Sequence, residues 1–184
     1  MIEKLRKRKI LVSIIIVLFL VALIFLINVL LGNKDKVKTE GIDLSYRVYT
    51  EDGYSDWYKN GEESENKKSI LGIEIKINTK TEGHIIYNVY GDKETFEDND
   101  SYDGEIAGNK KDKLYGIKIG LTDDLYKKYD IYYRTYNKKD KWLDYTTNYS
   151  VSGDNGVNIE KIQIKVIEKD SDFKQKDEKT SIGF

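Results

Sequence analysis

A chain of 184 residues with neither cysteine nor proline has room for one ordinary domain. It has no disulfide framework, no thiolate chemistry, no lipid-modified N-terminal cysteine and no proline-set turns. Its formal net charge of −1 conceals an asymmetry: residues 1–32 carry five of the 31 basic residues and one of the 32 acidic ones, leaving a net of −5 beyond. Such a domain is not built to wrap a phosphate backbone, so nucleic acid is not an expected partner.

The first element is apolar. Ile10 to Leu31 runs 22 residues without a charge, broken only by Ser13, Ala22 and Asn28. As a helix it would extend about 33 Å, enough to cross a hydrocarbon core. Lys4, Arg6, Lys7, Arg8 and Lys9 crowd its N-terminal side. The excess of positive charge there predicts a cytoplasmic N-terminus (1–9), a single transmembrane helix (10–32) and an extracytoplasmic remainder. The run is too long for a signal peptide, and Val29 to Asn33 offers no small-residue cleavage site, so an uncleaved anchor is expected. Residues 33–40 read as a short charged tether to the membrane.

Beyond the tether a strand pattern recurs. Ile70 to Ile77, Leu114 to Leu121 and Ile159 to Val166 begin 44 and 45 residues apart. From the third position of each, apolar residues alternate with polar ones or glycine, the signature of a strand with one buried face. Upstream of each lies a tyrosine-rich strand: Leu44 to Tyr49, Ile85 to Tyr90 and Ile131 to Tyr136, each with Tyr at its third and sixth places. Between the two strands comes an aromatic stretch and a turn. Tyr54, Trp57 and Asn60-Gly61 in the first copy correspond to Trp142, Tyr145 and Asn148 in the third. The second copy keeps only Phe96 of the aromatics, with the turn Asp103-Gly104. Ala107-Gly108 aligns with Ser152-Gly153 and, more weakly, with Ser64-Glu65. Asn-Gly and Asp-Gly pairs favour tight hairpins because both tolerate positive φ.

This unit resembles the clostridial hydrophobic W (ChW) repeat, whose pattern is a Tyr-rich strand, Gly-Trp-x-x-Trp, Asn-Gly-x-x-Ala-Gly and a closing Ile-rich strand. Leu121 to Arg134 is similar to that family's inter-repeat segment. Tyr54 stands in the first Trp place of one copy, Tyr145 in the second Trp place of another, and copy two has lost both. The resemblance covers about 41–167 and implies a cell-surface role in adhesion or recognition of carbohydrate or protein. A composition rich in Lys, Ile, Asn and Tyr suits an AT-rich bacterial genome.

Three copies, at about 41–82, 83–121 and 129–167, each with one buried face, must bury it against one another. The expected fold is an all-β ectodomain with pseudo-threefold, β-prism-like architecture; a β-trefoil is the second choice. Residues 168–184 are polar and mixed in charge, and read as a flexible tail.

No catalytic constellation emerges. His84 is the sole histidine and has no nucleophile context. Asp98 to Gly104 fails the calcium-loop pattern, since its sixth residue is Asp103 and its twelfth Asn109. No cofactor or metal is expected. The candidate binding residues are Trp57, Tyr54, Trp142 and Tyr145, with core filling the preferred role and stacking on a sugar ring or anchoring a protein the other. The functional expectation is a membrane-anchored, non-catalytic binding module. The alternatives are a structural or assembly partner of another envelope protein and, behind it, a glycan hydrolase.

Overall fold

The computed structural model describes residues 19, 41–93, 95, 99–171, 173 and 179–184. The basic N-terminus, the apolar run (Phe19 excepted) and the tether lie outside the described residues, among which no helix is long and apolar enough to cross a membrane.

The described chain is mostly β-sheet. In order it forms β1 (Ile42–Thr50), β2 (Gly53–Tyr54), β3 (Tyr58–Lys59), β4 (Gly72–Thr79), β5 (Ile85–Gly91), β6 (Ser101–Tyr102), β7 (Ile106–Ala107) and β8 (Leu114–Leu121). A short helix α1 (Asp123–Lys128) follows, then β9 (Tyr129–Asn137), β10 (Lys141–Trp142), β11 (Thr146–Thr147), β12 (Ser152–Asp154), β13 (Lys161–Glu168) and β14 (Ser181–Ile182). The long strands pair antiparallel as β1–β4, β5–β8 and β9–β13, one pair in each of three sheets. These are the six strands that period-2 patterning marks out. Tyrosines at the third and sixth places of a strand must face opposite ways. Accordingly Tyr46, Tyr87 and Tyr133 are fully buried, while Tyr49, Tyr90 and Tyr136 are only half-buried.

Each sheet borrows a short segment from another part of the chain. The first sheet's β4 pairs with β7, placing Ala107 opposite Ile73. The second sheet's β8 pairs with β12, placing Ser152 opposite Ile117. On the third, Glu63 bridges to Gln163, and Ser64 N–H donates to the Ile162 carbonyl at 2.9 Å. Ala107, Ser152 and Ser64 are all buried, so the weak alignment of Ser64 with the other two is matched in space. The residue after each differs. Gly108 sits at φ +93 with its Cα against Gly72, and Gly153 at φ +150 against Gly116. Glu65 occupies the third place, where the Ser64 hydroxyl instead accepts the Ile162 amide at 2.9 Å.

At the centre three backbones close a ring of hydrogen bonds. Ile70 N–H donates to Ile159 O (2.9 Å), Ile159 N–H to Leu114 O (2.8 Å) and Leu114 N–H to Ile70 O (3.0 Å). Beside this ring Ile70, Ile73, Leu114, Ile117, Ile159 and Ile162 line one small apolar space. Each of the three isoleucine-rich strand segments of the sequence contributes two of those residues, at its first and fourth positions.

The buried tyrosines tie this core to the turns. Tyr46 donates to the Glu62 carbonyl at 2.5 Å, Tyr87 to that of Glu105 and Tyr133 to that of Ser150. The Tyr87 oxygen also accepts the Ile75 amide at 3.2 Å. Burial raises the pKa of all three, that of Tyr87 to about 12, so the hydroxyls stay protonated donors. Removing one hydroxyl strands a carbonyl beside the core. Tyr133→Phe and Tyr87→Phe should each lose about 1–3 kcal/mol of unfolding free energy in urea melts. A loss below a few tenths would mean that water replaces the bond.

Two elements depart from expectation. Helix α1 lies between β8 and β9 and buries Leu125, whose amide donates to Glu82 O at 3.0 Å. Thr122 ahead of Asp123-Asp124, with Lys127-Lys128 in the last turn, is a helix signature too short to stand out by periodicity. The chain end was expected to be flexible, yet residues 179–184 are fastened. β14 runs parallel to β12 (Gly153 with Ser181, Asp154 with Ile182), Lys179 Nζ reaches Asp140 Oδ1 at 2.7 Å, and Phe184 packs edge-on against Tyr90. An edge strand presents unpaired backbone groups, and a short polar segment can satisfy them without burying much apolar surface. The Lys179 contact also holds the Asp140 carboxyl below the usual range.

Candidate functional site

Alternation along β1 points Arg47 away from the core, and the sheet register sets Glu74 opposite it. Arg47 Nε donates to Glu74 Oε2 at 2.7 Å, and the Tyr54 hydroxyl donates to the other carboxylate oxygen. The guanidinium lies over two rings, 3.9 Å from the centroid of Tyr54 and 4.7 Å from that of Trp57. Lys76 Nζ stands 3.7 Å from the Trp57 centroid. Lys110, from beyond β7, lies 4.7 Å from Tyr54, whose hydroxyl raises the ammonium pKa by hydrogen bonding. Tyr49 meets Tyr54 edge to face at 5.0 Å.

The third sheet carries the same arrangement with different residues. Arg134 on β9 faces Gln163 on β13, and its Nε donates to Gln163 Oε1 at 2.8 Å. Its guanidinium lies 4.4 Å from Trp142 and 4.8 Å from Tyr145, and also reaches Glu63 at 3.0 Å. The Tyr145 hydroxyl donates to Gln163, and its pKa is pushed to about 12 by burial. Lys165 stands 5.1 Å from Tyr145, as Lys76 stands by Trp57. Tyr136 packs against Trp142 at 5.6 Å. Each cation–ring contact at a partly exposed site contributes about 0.5–1 kcal/mol.

Among the described residues the second sheet shows no such platform, and Phe96 lies outside them. Asn88 replaces the arginine, with Lys118 across from it. Asn88 Nδ2 donates to Asp100 Oδ1 at 3.1 Å, and Tyr149, from the turn between β11 and β12, donates its hydroxyl to the same carboxylate.

The four sequence candidates therefore fall into two pairs, Tyr54 with Trp57 and Trp142 with Tyr145, and the structure brings no member of one pair against the other. None fills the core, contrary to the preferred expectation. Tyr54 is 39% exposed, and Trp57, Trp142 and Tyr145 are half-buried on outer faces. Isoleucines and the inward tyrosines already occupy the interior. Sequence reasoning passed over Arg47 and Arg134, the residues that organise each pair. Their signal was legible: both stand fourth in a tyrosine-rich strand, the parity that points outward.

His84 and Asp103 pair on the surface at 2.5 Å, which raises the histidine pKa. Asp103 also accepts the Ile85 amide at 3.1 Å, so the pair braces a turn. Among the described residues no three His, Asp or Glu side chains converge as a metal site.

No family model, curated protein or solved structure matches this chain. The resemblance to the clostridial hydrophobic W repeat rests on the residues quoted above.

Proposed function

We propose that the chain is a membrane-anchored, non-catalytic surface binding module, built as three degenerate repeats in a β-prism-like ectodomain. The observation that carries the binding role is the recurrence of one aromatic–arginine platform on two of three sheets. A stacked arginine held by a carboxylate or amide, between two partly exposed rings, is a preorganised surface for a sugar ring or a protein side chain. Supporting the prism reading are the three sheets, the hydrogen-bond ring joining them and the exchange of short strands between neighbours. A trefoil needs a closed barrel, and these sheets stay open. The apolar run Ile10 to Leu31, with its basic flank, supports the anchor.

Binding is tested with a fragment running to Phe184, because β14 completes the second sheet. Screened against glycans, peptidoglycan and surface proteins, it should retain at least one ligand. Trp57→Ala and Trp142→Ala should each weaken that ligand roughly tenfold, about 1.4 kcal/mol, with the fold retained and the melting temperature lowered only by the lost ring contacts. Silence against every ligand class, from a folded fragment, would leave a structural role. The anchor is tested separately: protease added to intact cells should remove the β-domain and spare the N-terminus.

A further inference from the structure

The two platforms share a charge as well as a shape. The first gathers Arg47, Lys76 and Lys110 around one carboxylate, Glu74. The third-sheet platform gathers Arg134, Lys165 and, over Tyr136, Lys161 around one carboxylate, Glu63. Each is cationic in a region that is otherwise acidic, with a net of −5 beyond residue 32. Lys76 is exposed, and its ammonium rests on an indole face. Such an ammonium keeps donors for an incoming anion. Resting on the binding reading above, we infer that the ligand is an anionic polysaccharide, a chain of sugar rings carrying carboxylate or phosphate groups.

The chemistry divides between ring and charge. The ring faces already carry cations, Arg47 and Lys76 over Trp57 and Arg47 and Lys110 over Tyr54, so a sugar meets this ring–cation stack at its exposed edge, where Tyr54 is 39% exposed. Lysine ammoniums at the platform edge take the acidic substituent. Both platforms lie on outer sheet faces, which suits a polymer laid along the surface. Two equivalent platforms suit a ligand whose unit repeats, because binding at one raises the effective concentration at the other. An acidic protein surface would satisfy the charge as well, and the polyglutamate titration separates it from the polysaccharide. The net charge of −5 beyond residue 32 opposes non-specific attraction of a polyanion, which favours contact at the platforms.

The full chain, held in detergent micelles, is titrated with polygalacturonate, with neutral dextran and with poly-L-glutamate, at about 50 mM and about 200 mM salt. Polygalacturonate should bind, and several-fold more weakly at the higher salt. Lys76→Gln/Lys110→Gln should lower its affinity roughly tenfold while the domain stays folded at the titration temperature, its thermal midpoint lowered only by the lost cation–ring contacts, and Trp57→Ala should lower the affinity as well. Dextran and polyglutamate should bind at least tenfold more weakly. Equal binding of dextran, insensitive to salt and to the lysine changes but lost in Trp57→Ala, would overturn the anionic class while leaving the binding platform standing. Polyglutamate binding as well as polygalacturonate would overturn the polysaccharide assignment in favour of an acidic protein. No binding of any probe by the folded domain would also overturn the inference, and the broader ligand screen then judges the module itself.

Discussion

Replacing Gly153 with alanine should be among the most damaging single-methyl changes in this protein. A Cβ built there lies 2.1 Å from the Tyr115 carbonyl oxygen and 2.7 Å from the Gly116 Cα, at φ +150. Both obstacles are backbone, so no rotamer change relieves them. Relief requires β12 to move away from β8, which would also loosen β14 from its parallel partner. The expected cost exceeds about 3 kcal/mol, a large share of the roughly 5–15 kcal/mol that holds a domain folded. Gly156→Ala is the control. It also has positive φ, +77, but nothing lies within 4 Å of its added methyl. That change should cost only about 1 kcal/mol. Urea midpoints of the two variants make the comparison. Equal midpoints would mean that the Gly153–Gly116 approach is not as close as described.

The second large effect lies at the central ring. Ile73, Ile117 and Ile162 are all at most 2% exposed and line the same apolar space. Trimming any one to alanine should cost about 2–5 kcal/mol and lower the melting temperature by roughly 10 °C or more. The sharper expectation is that the three costs agree within about 1.5 kcal/mol, because each side chain has corresponding neighbours from the other two segments. Ile77, only half-buried at the far end of β4, should tolerate the same change for about 1 kcal/mol. Three widely scattered values, or an Ile77 variant as damaged as the others, would show that the positions are not equivalent in packing.

The long strands were legible because their physics is local. Alternation of Ile, Leu or Val with Lys, Glu, Gln or Gly over six residues commits one face to burial wherever the strand ends up. The 44- and 45-residue spacings then set corresponding residues at corresponding depths. The short strands were legible only as turn chemistry: Asn60-Gly61 and Asp103-Gly104 announced bends, and Gly61 and Gly104 do take positive φ. The third turn conceals itself, because Tyr149 takes the glycine's place at φ +67. Its hydroxyl bond to Asp100 and its amide bond to Ile119 O at 2.8 Å oppose the strain. Helix α1 and β14 escaped notice for a related reason. Six and two residues are too few to establish a period, and both are held by contacts with distant chain.

By itself the sequence determined which residues of each long strand face inward, where the chain turns, and that Tyr–Trp pairs follow the first and third tyrosine-rich strands. These follow from side-chain polarity and backbone stereochemistry within a few neighbours. Only the tertiary structure decided that β7, β12 and Ser64 complete a neighbouring sheet, and that the tryptophans flank arginines on outer faces instead of filling the centre. Which strand edge meets which, and how much room the interior leaves once isoleucine and tyrosine have packed, depend on residues tens of positions apart. No local pattern encodes that competition for space.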